Sequence, residues 1–243
     1  MTSMAAWVAA LATVAILMAY ELTLAVGHRR RPGRLARTAH AALREDWFDA
    51  VSAQKGSEIL AVQTLRNSLM SATMTASTAV LGLTGTVTLA APSLRASFGD
   101  APETPGFTVH LALELALVTL LFASLASSVM AVRYYNHAGF IAAMPVDSEA
   151  RRGWSDAGRV YVRRAGILYS WGLRHLMLVA PILASVVHPA AGPVSALGVV
   201  AVLVSFDRFQ NNKGCDSRAL GRKPGQVEKQ FQRPLPGQSE RDA

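Results

Sequence analysis

The sequence predicts an all-helical integral membrane protein with five transmembrane helices, the last two a short hairpin, plus interfacial amphipathic helices. Three observations carry this expectation. Of 243 residues, 51% are hydrophobic and only 16% are charged, against about a quarter charged in soluble domains. The mean hydropathy is +0.26, and the apolar residues gather in four blocks separated by basic stretches. The block Leu69–Ala91 holds no charge at all, and about 20 such residues cross the hydrocarbon of a bilayer.

The first block, Met4–Val26, has no Lys or Arg before it, whereas His28-Arg-Arg-Arg31 and Arg34 follow it. A secretory signal has the reverse order of charge. The block therefore reads as a retained span with its N-terminus outside and its far end in the cytoplasm. Pro32-Gly33 would stop the helix. From Arg34 to Gln54, Leu35, Ala39, Leu43, Trp47 and Val51 recur every four positions among charged residues. That spacing is one face of an amphipathic helix, and Trp47 and Phe48 favour a place at the membrane surface. Gly56 breaks it, and Ser57 is the expected cap of the next helix.

That next helix begins in water at Ile59, crosses the headgroups at Arg66–Asn67–Ser68 and enters lipid as the span 69–91. Within lipid, Ser71, Thr75, Thr78, Gly82 and Thr86 fall on one face. Small residues so spaced allow close approach of a second helix, with hydroxyls bonding across the seam, and offer a route to a homo-oligomer. Pro92–Phe107 reads as a short external loop. The span 108–132 ends at Arg133-Tyr-Tyr-Asn136, an interfacial anchor. Residues Gly153–Arg174 mix arginines with Val160, Ile167, Leu168 and Trp171, which suits a helix approaching the bilayer from the basic side.

The last block, Leu173–Phe206, is interrupted at His188-Pro-Ala-Ala-Gly-Pro193, and prolines with glycine mark a turn. Two short spans, 173–188 and 190–206, would each just cross at 1.5 Å per residue. The alternative is one kinked, tilted helix. Charge separates the two, because the hairpin leaves every Lys and Arg except Arg95 on the cytoplasmic side. Residues 1–207 thus form a single membrane domain. Residues 208–243, rich in Gly, Pro, Gln and charge, form a basic tail expected to be disordered in the cytoplasm. The compartment expected is the cell (inner) membrane, with the N-terminus out and the C-terminus in.

The net charge of +8 is explained by topology. The arginines lack the aromatic interleaving of a base-stacking surface, so nucleic acid is excluded as a partner. Lipid is the expected partner, including anionic headgroups. The single Cys215 gives neither a disulfide framework nor a thiolate metal site. No phosphate loop, nucleophile elbow or zinc-binding helix motif occurs, so neither enzymatic chemistry nor a cofactor is expected.

Ionisable groups at membrane depth are costly, and each is a site by default. At the inner ends of the spans lie Glu21, Arg66, Asn67, Arg133, Asn136, His137, Arg174 and Asp207. Glu21 needs a cation there, with Arg66 or Arg133 the natural choice. The cluster reads as a salt-bridged lock or as a site for an anionic or polar ligand. At the outer side His110 and Glu114 share a helix face, with His188 at the hairpin tip. These three could hold a divalent cation or relay a proton, or simply face water.

The stretch Ile59-Leu-Ala-Val-Gln-Thr-Leu-Arg-Asn-Ser68 resembles the most specific element of a family of bacterial and plant membrane proteins, domain of unknown function 599. Arg44 and Trp47 are similar to that family's arginine–tryptophan motif. Arg133, Asn136 and Pro145, then Arg174, Pro181, Pro189 and Asp207, match its later segments. The resemblance covers roughly Leu17 to Asp207. It departs at Ser185, where the family has tryptophan, and at His188, where glycine precedes the proline. The resemblance implies a multi-pass membrane protein, assigns no chemistry, and directs attention to the inner polar cluster. Two functions follow: a small transporter or channel-like protein with a polar site at that cluster, or a non-transporting scaffold in which the cluster is a lock.

Overall fold

The structure is a computed structural model that describes residues 3–30, 36–98 and 107–209, and these form six helices and no strand. They are α1 (Ser3–Arg30), α2 (Ala36–Ala53), α3 (Glu58–Phe98), α4 (Val109–Ala143), α5 (Glu149–Val187) and α6 (Ala191–Phe209). Four of them, α1, α3, α4 and α5, are long and apolar enough to cross a membrane; α6 is shorter but equally apolar. The basic tail lies outside the described residues from position 210 onward.

Length is the first finding. Helices α3, α4 and α5 have 41, 35 and 39 residues, hence about 50–60 Å each at 1.5 Å per residue. The hydrocarbon core is only ~30 Å thick. Each helix therefore continues well past its most apolar stretch. Beyond the span 108–132 the same helix runs on through Arg133–Ala143, Gly139 included, and stops just before Pro145. Likewise the basic segment 153–174 and the span after it are one helix. Helix α3 also runs through Pro92 to Phe98, which shortens the expected external loop. Proline there leaves the Thr88 carbonyl without its usual donor, but the helix continues for six residues beyond it.

The long helices carry two separate cores. In one, Phe48 and Val51 of α2 pack with Ala61, Leu65 and Ala72 of α3, with Tyr135, Ala138 and Ile141 of α4, and with Val162 and Ala165 of α5. In the other, Ala10, Leu17 and Tyr20 of α1 meet Leu113, Leu117 and Leu121 of α4, Leu178 and Ile182 of α5, and Ala196 and Leu203 of α6. The first core contains the basic half of the molecule and the second the apolar half. Helix α2 serves only the first core, and α1 and α6 only the second.

The last apolar block does double back. Helix α5 ends at Val187, His188 caps it, and α6 starts at Ala191. Proline at position 193 sits in the first turn of α6, where no intrahelical donor is needed. The antiparallel register brings Gly192 against Ser185, so closely that an added Cβ would lie 1.8 Å from the Ser185 hydroxyl and 2.5 Å from that of Thr13. The Thr13 and Ser185 hydroxyls are 3.2 Å apart and both are buried. Three helices meet there, which accounts for a small residue at 185.

The α3 seam differs from expectation. Its buried stripe is Ala61, Leu65, Ala72, Thr75, Ala79 and Ala90, while Ser71 and Thr78 are exposed. Close approach to α4 is real at Gly82, where Leu121 fills the space of a side chain. The hydroxyls of Ser71, Thr75 and Thr78 donate to carbonyls one turn back on α3 itself. A hydroxyl flanked by its own helix carbonyl needs no partner across the interface.

Two turns join the basic-end helices. Gly56, at φ +80, takes the left-handed conformation that closes α2 and opens α3. Ser57 precedes α3 but does not cap it with its side chain. Its hydroxyl reaches back to the Val51 and Gln54 carbonyls at the end of α2, which also accept from the Gln54 and Ser57 amides at 3.4 Å. Across the bundle, Ser148 caps α5 by accepting from the Arg151 amide at 3.2 Å.

Candidate functional site

The residues expected at the inner cluster do not converge in a cavity. Arg66 and Asn67 are exposed on α3, and Arg133, Asn136 and His137 are exposed on α4. The inward face of each helix carries their neighbours instead: Leu65 on α3, and Tyr135 and Ala138 on α4. His137 rests against the Tyr161 ring, with centroids 5.6 Å apart. Glu21 and Arg174 are half-buried, and Arg174 donates to the Tyr20 hydroxyl at 3.1 Å, tying α5 to α1. The side chain of Asp207 lies outside the described residues. At the opposite end, His110 and Glu114 do pair, at 3.1 Å, with Glu114 buried and His110 exposed. His188 is exposed at the hairpin turn. Among the described residues no three metal-ligating side chains group together.

A concave site forms one step away, where α2 lies along α5. The two helices run antiparallel, as four pairings show. Arg159 donates to Asp49 at 3.0 Å and Arg163 faces Glu45 at 3.4 Å. The ring of Phe48 lies over Gly158, and the Arg44 guanidinium lies over Gly166. A Cβ at Gly158 would come within 2.4 Å of the Phe48 ring, and one at Gly166 within 2.2 Å of an Arg44 nitrogen. At Gly158 the rigid Phe48 ring requires glycine for α2 to sit this close, whereas at Gly166 only the movable end of Arg44 occupies the space.

The gap between α2, α3, α4 and α5 is a cleft of about 300 Å³. Arg44 and Trp47 enter it from α2, Thr64 and Ser68 from α3, Tyr135 from α4 and Val162 from α5. Two acids of α2 are committed to α5, since Glu45 faces Arg163 and Asp49 faces Arg159. Among the described residues no carboxylate pairs with Arg44. Its guanidinium lies within electrostatic reach of Tyr135, which Ser68 and Tyr169 also approach. Thr64 and Ser68 spend their protons on the carbonyls of Leu60 and Thr64, so their oxygens keep lone pairs. The walls are otherwise hydrocarbon and indole. A small, mostly apolar cleft with a few convergent polar groups has the composition of a small-molecule site.

Arg151 is the residue that sequence reasoning missed. It is the largest fully buried side chain among the described residues, 2% exposed. One guanidinium nitrogen donates to the Ala142 and Met144 carbonyls at 2.6 and 2.8 Å, and the other to Ser52 at 3.2 Å. It closes the carboxyl end of α4, whose last carbonyls have no intrahelical donor, and adds a cation where the helix dipole favours one. Glu58 braces the same turn by accepting from the Val146 amide at 3.3 Å. At its rim, Lys55 pairs with Asp147, and this hydrogen bond holds the Lys55 ammonium above its ordinary range. The only sequence signal was position: Arg151 is the third residue after the Ser148 cap, pointing back beneath α4.

Fold and cleft together define a class, that of all-helical proteins with several helices built to the length and hydropathy of membrane spans. Within that class the chain is assigned by the family described as protein of unknown function, DUF599, whose model matches residues 8–212. The chain belongs to this family. No curated protein and no solved structure matches it. The cleft draws on two of the segments that carried the resemblance, Arg44–Trp47 and Ile59–Ser68.

Proposed function

We propose that the protein is a five-span inner-membrane protein that acts as a non-transporting platform, with its N-terminus outside and its C-terminus in the cytoplasm. In this reading the apolar core lies within lipid, and the core around Phe48 stands in the cytoplasm, with α2 at the boundary. One observation carries it. The interior at the apolar end is filled by Leu17, Leu113, Leu117, Leu121, Leu178 and Ile182, and its buried polar contacts, Thr13–Ser185 and Ser124 to the Gly172 carbonyl at 2.8 Å, tie helices together. A packed interior of this kind favours a non-transporting role over a conduit through one chain.

The transporter reading needs a second copy, since Arg66, Asn67, Arg133 and Asn136 face outward and would line a path only between chains. Purified protein in sealed vesicles tests the choice. The platform reading expects no solute or ion flux above protein-free vesicles. Flux abolished by Arg66→Ala would overturn it in favour of an oligomeric conduit. A reporter active only in the cytoplasm, fused after Ala243, checks the threading, and silence there would remove the five-span arrangement.

A further inference from the structure

We propose that the cleft at Arg44 binds one phosphoryl group, carried on an apolar stem that lies along Trp47 and Val162. Three features converge on this ligand. Arg44 lines a concave site, and among the described residues no carboxylate pairs with it, Glu45 and Asp49 being engaged by Arg163 and Arg159. Arginine's planar fork suits two oxygens of one phosphate. Beside it stands the Tyr135 hydroxyl, and a phenol can donate to an anionic oxygen, whereas Thr64 and Ser68 give their protons to carbonyls of their own helix.

The remaining wall is Leu43, Leu65, Val162 and the Trp47 indole, which has no charged group for an inorganic ion and suits a hydrocarbon chain. The volume, about 300 Å³, exceeds what a bare phosphate fills and lies at the small end of ligand sites. Ser68 marks the last polar residue of α3 before its uncharged stretch begins. The cleft thus sits where polar and apolar solvents would meet, which is the level of a phospholipid headgroup. A membrane phospholipid and a soluble phosphate ester present the same chemistry there.

Titration calorimetry on the full chain in neutral detergent tests the proposal with three probes: short-chain phosphatidic acid, short-chain phosphatidylcholine and inorganic phosphate. Phosphatidic acid is expected to bind at one saturable site, with Arg44→Gln weakening it roughly 10- to 100-fold, the worth of a charge-assisted hydrogen bond. Binding of phosphatidic acid that inorganic phosphate does not displace identifies lipid as the source. Displacement by inorganic phosphate at equal affinity shows that the apolar stem contributes nothing and overturns the proposal. Equal binding of phosphatidylcholine, or an Arg44→Gln protein that binds as well as the parent, overturns the proposal. Tyr135→Phe, which removes the phenol proton and leaves α2 seated on α5, keeps the test open should Arg44→Gln fail to fold; it is expected to weaken binding severalfold, and unchanged affinity there also overturns the proposal.

Discussion

Replacing Arg151 by methionine removes the guanidinium while filling much of its volume. In the parent, two carbonyls at the end of α4 receive their donors from this one side chain, at 2.6 and 2.8 Å, and Ser52 receives a third bond at 3.2 Å. Arg151 is 2% exposed, so water does not reach the vacated acceptors. Each buried acceptor left unsatisfied costs about 1–3 kcal/mol, and two give about 2–6 kcal/mol. Relief from burying a charge offsets part of that, which leaves an expected loss of about 2–4 kcal/mol. Arg151→Lys, which keeps the charge but not the fork, is expected to lose about half as much. Denaturant unfolding in detergent measures the loss, and hydrogen exchange at residues 144–148 locates it. An Arg151→Met protein within ~0.5 kcal/mol of the parent, with unchanged exchange at that turn, would refute the assignment of Arg151 as the closure of α4.

Two glycines of α5 should behave differently. Gly158→Ala drives a Cβ into the Phe48 ring, a rigid core group, and is expected to cost about 1–3 kcal/mol and to expose α2 to limited proteolysis. Gly166→Ala meets only the flexible end of Arg44, so stability should hardly change while anion affinity falls. At the other core, Gly192→Ala is expected to destabilise by about 1–3 kcal/mol, and Ser185→Ala in the same chain should restore part of it, read as a double-mutant cycle. For Lys55, whose titration is moved upward by Asp147, the pairing is intact below the ordinary lysine value of 10.5 and is lost as pH rises through the higher folded value. Because both side chains are exposed, Lys55→Ala should leave unfolding unchanged in high salt.

Much of this fold could be read along the chain. Uncharged runs located four helices, the every-fourth-residue pattern from Leu35 to Val51 located α2, and the prolines flanking Ala190 located the reversal between α5 and α6. Hydropathy also hid something. It marks where a helix is greasy, so it ended the third span at Val132 and began the fourth at Leu173, although the backbone is helical to Ala143 and from Glu149. Residues such as Arg159 and Arg163 lower the hydropathy of a segment without opposing helix. The outer pair His110–Glu114 was legible from spacing alone. The cleft was legible only as names, Arg44 with Trp47 and Thr64 with Ser68. Which residue of each motif points inward depends on the partner helix: Arg66 and Asn67, two of the most polar of that segment, face out, while Ser68 and Leu65 line the cleft. Apart from its place three residues after Ser148, nothing in the local sequence distinguishes Arg151, fully buried, from Arg152, which is exposed.

Helix α4 carries no proline from Val109 to Ala143, and α3 has none before Pro92. Such rods behave mechanically as stiff levers rather than as strings of independent segments. Tyr135 touches the cleft near one tip of α4, and Leu113 and Leu117 seat the other tip among α1, α5 and α6. Between Tyr135 and Leu113 the backbone is one unbroken helix, so a tilt imposed at either residue would be carried to the other without a loop in between.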